Sequence, residues 1–84
     1  MSDRKPLIAG NWKMHKTGIQ AAAAATQLKQ RVGAPGNVDV MIAPAFTALH
    51  QVAQALEGSP IALGAQNLHW EPHGAFTGEI SADM

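Results

Sequence analysis

The chain has 84 residues, 46% of them hydrophobic and 14% charged, with six Lys and Arg balancing six Asp and Glu. This composition fits one small folded domain rather than a disordered tail, and the even charge gives no reason to expect a nucleic-acid or membrane partner. Cysteine is absent, which excludes disulfides and thiolate metal sites.

The N-terminal MSDRKPLIAG has only four apolar residues behind its basic ones. A secretory core needs roughly 7–15 and a membrane span about 20, so a cytoplasmic chain is the expectation. PLIA, at 6–9, is too short for a helix and runs into GN, which predicts a strand over about 6–11. GNWKMHKT follows at 10–17 and crowds an amide and several basic groups at the strand's C-terminal end. With period-two alternation, Asn11 and Lys13 are expected on one side and Trp12 on the other. On spacing alone Lys13 reads as a water-exposed lysine, the usual outcome, or as an anion site.

TGIQAAAAATQLKQRV predicts a helix over about 17–32. Alanine has the best helix propensity, and Ala21, Ala25, Leu28 and Val32 fall on one stripe. Lys29 and Arg31 stand in the last turn, where the helix dipole favours cations, and GAPGN stops the helix. VDVMIA predicts a strand over about 38–43. FTALHQVAQALEG predicts a second helix over about 46–57, with Thr47 as N-cap, an apolar stripe of Leu49, Val52, Ala53 and Leu56, and Gly58 as the C′ glycine. IALGA begins a third strand, over about 61–66. Strands separated by helices of this length pair in parallel through right-handed crossovers. The fold class is therefore α/β, with the order β-α-β-α-β.

Residues 67–79 form a long loop carrying Trp70, Pro72, Gly74, Phe76 and Gly78. Loops of this length are commonly functional or partner-binding. Trp70 and Phe76 read either as interface anchors or as aromatics of a small core; Pro72 and the glycines favour the interface. His69 and His73 stand four apart, but Pro72 intervenes and no third ligand is nearby, so a metal site is not expected. His15 and His50 read as surface histidines. Ser81 and Asp83 carry the signature of a helix start.

GNWKMHKT, APAFTAL (43–49) and above all GAQNLHWEPHGAFTGEIS (64–81) resemble the N-terminal part of the triosephosphate isomerase family, in order and along essentially the whole chain. The resemblance implies a fragment of a (β/α)8 barrel, a fold of roughly 250 residues whose active site sits at the C-terminal strand face. The fragment would hold the first three strands and break off at the start of the third helix. The implied activity is interconversion of dihydroxyacetone phosphate and glyceraldehyde 3-phosphate, in glycolysis and gluconeogenesis, with no cofactor and no metal.

By position, the resemblance makes Lys13 catalytic and substrate-binding, as a fixed positive charge for the phosphate and the developing enediolate. Asn11 would help hold the substrate end and the loop geometry. The loop 67–79 would project into a second subunit of a homodimer, with Gln66, Trp70, Phe76, Thr77 and Glu79 at the interface. Gln66 would brace the loop's base, Thr77 would reach towards the partner's active site, and Glu79 would anchor the loop. The family's glutamate base, neutral histidine electrophile and lid match nothing here, so the 84 residues alone are expected to be inactive. Two other readings remain: a non-catalytic barrel fragment, and a small anion-binding or assembly module built on Asn11 and Lys13. Two helices can cover only one face of a parallel sheet, so Ile8, Met41, Leu63 or their alternates are expected to face water.

Overall fold

The computed structural model describes residues 4–34 and 36–84. Met1–Asp3, part of the N-terminal reading above, and Pro35, part of the expected helix stop, lie outside the described residues.

Three parallel strands form one sheet in the order β1-β2-β3: β1 at Leu7–Asn11, β2 at Asp39–Ala43 and β3 at Ala62–Leu63. Leu7 pairs with Asp39 at one end of the first ladder and Asn11 with Ala43 at the other. Lys5 and Asp39 add an exposed ion pair of 3.1 Å at the N-terminal end, a contact worth at most about 1 kcal/mol.

The first helix, α1, runs from Gly18 to Val32. Thr17 starts it with a capping box: its hydroxyl accepts from the Gln20 N–H at 3.3 Å, and the Gln20 side chain accepts from the Thr17 N–H at 3.0 Å. Gly33, at φ 64°, ends it in the left-handed region that glycine enters without strain. Ala21 and Ala25 are wholly buried and Leu28 and Val32 partly so, which puts the expected stripe on the core. Alanine is what lets this helix lie close to its neighbours.

The second helical segment differs from the expectation. A 3-10 turn over Phe46–Ala48 precedes α2, which spans only Leu49–Ala55. Thr47 is inside the 3-10 turn and caps nothing; the turn is closed by the Ala48 N–H on the Ala45 carbonyl at 2.9 Å. Gly58 has φ 79° but stands two residues past the helix-ending Leu56, rather than at C′. Ala53 is exposed, and the buried stripe is Ala48, Val52 and Leu56 with Ala55 beside it. The 3-10 start carries Ala48 into the buried core, and Ala53 stays outside it.

The third strand is also shorter than the expected 61–66. After the Gly64 N–H bonds to the Ile42 carbonyl at 2.9 Å, the next ladder bond would need an N–H on residue 44. Residue 44 is Pro44, which has none, so the ladder stops.

The core is one layer, between the helices and one face of the sheet: Ala21, Ala25, Ile42, Ala48, Val52, Leu56 and Ile61. The other face is open. Leu7 is 59% exposed on it, while Ile8, level with Val40, and Leu63, level with Ile42, lie on the helix-side face and are exposed at its edges, Ile8 by 60%. The Cα radius of gyration is 14.3 Å, against about 12 Å for a compact chain of this length. Half a sandwich has the dimensions of a slab.

Candidate active site at the strand ends

The C-terminal ends of the three strands meet in one hydrogen-bonded cluster. β1 stops at Asn11, and two residues on Lys13 takes a φ of 57°, an uncommon left-handed backbone for a residue with a side chain. Asn11 causes the turn: its Oδ1 accepts from the Lys13 N–H at 2.9 Å, an Asx turn of the kind asparagine favours. The expectation that strand alternation sets Asn11 and Lys13 on one side is therefore corrected, because alternation ends at Asn11 and a side-chain turn takes over.

Lys13 is held from its other end by Gln66. The Gln66 Nε2 donates to the Lys13 carbonyl at 2.9 Å and to the Ala43 carbonyl at 2.8 Å. Ala43 also accepts from the Trp12 N–H at 3.0 Å. One amide thus ties the end of β2 to the residue after β1, from a position three residues past β3. Both polar groups of the Lys13 backbone are fixed by side chains. Trp12 is half-buried against the core, and the Lys16 ammonium lies 5.8 Å from its ring centroid, within cation–π range. Asn11 and Lys13 themselves are exposed, on the open end of a parallel sheet where ligands of α/β folds bind. A lysine fixed there can receive an anionic oxygen.

A further concavity lies elsewhere. A groove of about 540 Å³ runs between α2 and residues 80–84, lined by Leu49, Leu63, Leu68, Ile80 and Met84 among others, and it contains neither Asn11 nor Lys13. Among the described residues, no three His, Asp or Glu side chains are placed to hold a metal ion, and no helix is long and apolar enough to cross a membrane.

The long loop is closed at its neck. His69 forms a parallel bridge with Ser81, and its N–H donates to the Ile80 carbonyl at 2.7 Å. The His69 ring sits against Trp70, at 4.2 Å between centroids, and Phe76, at 4.1 Å. His69 is therefore the loop's internal packing centre, a role its spacing from His73 did not suggest. Trp70 is 83% and Phe76 44% exposed, so neither is a core aromatic. Glu79 ties the loop through its backbone N–H, which donates to the Phe76 carbonyl at 3.1 Å. Thr77, Glu79, Trp70 and Phe76 share no hydrogen bond with Asn11 or Lys13 within the chain. At the helix start expected at Ser81, the Met84 N–H donates to the Ser81 carbonyl at 3.2 Å, and the Ser81 hydroxyl is buried without a partner among the described residues.

Of the residues picked out in the sequence, the structure unites Asn11, Lys13 and Gln66 and leaves the loop residues apart. The link from Gln66 to Lys13 spans 53 positions. No local pattern could have announced it.

Residues 6–84 match the family model described as triosephosphate isomerase. A triosephosphate isomerase of Carboxydothermus hydrogenoformans is 56% identical over 81 residues, covering 96% of this chain and 32% of that protein. One from Endomicrobium trichonymphae is 53% identical with the same coverage, and one from Pelobacter propionicus is 53% identical over 78 residues, covering 93% of this chain and 31% of that protein. The chain spans about a third of the length of these curated relatives.

Proposed function

Because the chain belongs to the triosephosphate isomerase family, we propose that the whole protein interconverts dihydroxyacetone phosphate and glyceraldehyde 3-phosphate, and that Lys13 is its electrostatic catalyst. The observation that carries this reading is the double tether on the Lys13 backbone, from Asn11 at 2.9 Å and Gln66 at 2.9 Å. A residue kept in a left-handed conformation by two side chains is one whose position matters, since such a conformation costs on the order of 1–2 kcal/mol. Its ammonium supplies positive charge before the reaction begins. Charge placed in advance stabilises an enediolate and a phosphate without reorganising at the moment of reaction.

The proton transfers themselves need a base and an electrophile. No glutamate of this segment suits the first role: Glu57 follows α2, Glu71 belongs to the loop, and Glu79 stands at its end. The segment therefore contributes binding and charge, and by itself does not turn over. Exposed Trp70 and Phe76 on a loop closed at its neck support a homodimer through 67–79, with Gln66, Thr77 and Glu79 at its border. A cytoplasmic, glycolytic setting goes with that reaction.

The test is isomerase turnover of the full chain beside Lys13→Met, assayed at saturating and at low triose phosphate. A loss of about 100-fold or more in kcat/KM, the scale of removing one preorganised charge-stabilising group, supports the assignment. Equal turnover by both proteins overturns it.

A further inference from the structure

We propose that Gln66 is a positioning residue for Lys13 within its own subunit, in addition to any place at the subunit interface. This rests on the isomerase reading above for its kinetic half only. The left-handed backbone of Lys13 at φ 57° is opposed by the clash between Cβ and the following carbonyl. Asn11 holds the N–H side of the residue at 2.9 Å, but a single Asx turn leaves the carbonyl side free to rotate about ψ. Gln66 removes that freedom by donating to the Lys13 carbonyl at 2.9 Å.

The same nitrogen donates to Ala43 at 2.8 Å. An amide NH2 has two hydrogens and both are used, so the side chain cannot turn to serve one carbonyl without dropping the other. Ala43 is the last residue of β2, paired with Asn11 of β1 and buried. Lys13 is thereby referenced to the rigid sheet rather than to the exposed segment that carries it. Replacement by a side chain of equal length that cannot donate leaves the Lys13 carbonyl unpaired by protein and the Ala43 carbonyl with its bond from Trp12 alone. The residue that loses most is Lys13.

The experiment uses the full chain with Gln66→Met, which keeps length and apolar packing but donates nothing. Three readouts are taken: the Lys13 backbone conformation from a crystal structure of the variant, the melting temperature, and kcat and KM separately. Positioning predicts that Lys13 leaves the positive-φ region or takes two conformations, and that KM rises with the fall in kcat. A combined loss in kcat/KM approaching 100-fold is the scale expected for a misplacement near 1 Å. A purely structural role would lower the melting temperature and the apparent kcat, by reducing the active fraction, with KM unchanged and Lys13 still at positive φ. That result overturns the proposal. If the unaltered chain has no isomerase turnover, the isomerase reading fails, while the backbone of Lys13 in Gln66→Met still decides the positioning claim. Should Gln66→Met fail to fold, Gln66→Glu replaces it: its ionised carboxylate also donates nothing, and the same readouts above the carboxyl's titration range carry the same two outcomes.

Discussion

Produced alone, the 84 residues should not unfold as a cooperative monomer. The perturbation is the loss of whatever covers the second face of the sheet. The folded chain exposes 6303 Å², whereas a compact monomer of 8.8 kDa exposes about 4,800 Å². The excess is about 1,500 Å², and if half of it is apolar the forgone burial is about 19 kcal/mol at about 25 cal/mol per Å². Reducing this by a third for the compactness of real denatured chains leaves about 13 kcal/mol. Whole domains are stable by only about 5–15 kcal/mol, so the shortfall is as large as the stability it would have to come from. Leu7 shows it on the uncovered face, Ile8 and Leu63 show it at the edges of the helix-side face, and both edge strands present unpaired backbone. The assay is urea unfolding followed by Trp12 and Trp70 fluorescence, with mass by sedimentation at micromolar concentration. A shallow transition, or a steeper one that depends on concentration, is expected. One sharp transition at a monomeric mass would refute the reasoning.

Other consequences are local and are best measured in the full chain. Thr17→Ala removes one half of the capping box of α1 and should cost about 1 kcal/mol, read as a lower urea midpoint with an unchanged slope. Val52→Ala empties a wholly buried site between α2 and the sheet and should cost about 2–3 kcal/mol; a change under about 0.5 kcal/mol, typical of surface positions, would mean that α2 does not pack as described. Asn11→Ala removes the acceptor that closes the turn at Lys13, and on the proposed isomerase function should raise KM as well as lower kcat, with circular dichroism unchanged. Gly58→Ala places a Cβ at φ 79° in otherwise open space, so its cost of about 1 kcal/mol comes from the backbone and not from crowding.

The alternation of apolar runs and helical stripes made the β-α-β-α-β order legible, because burial on one face imposes a period on any sequence that folds this way. Pairing was legible too, since strands joined by helices have little choice but to run parallel. The errors fall where a single residue overrides a period. Pro44 cuts the β2–β3 ladder after Gly64, though IALGA continues in apolar residues past the point where hydrogen bonding stops. The 3-10 turn at Phe46–Ala48 delays the start of α2 beyond what the helical period implied, and the buried set includes Ala48 and not Ala53.

The same contrast governs the site. Asn11 and Lys13 could be singled out from the sequence, because polar groups crowded at the end of an apolar strand need a reason to be there. Their relation could not. A strand period places residues 11 and 13 together, whereas the structure joins them through a side-chain turn that breaks the strand first. What fixes Lys13 after that break comes from Gln66, and it depends on β2 and β3 having already aligned in register. The geometry of the lysine is thus a tertiary property: it exists only once three strand ends have met. That order of dependence explains why a motif can single out a candidate lysine while saying nothing of how it is held.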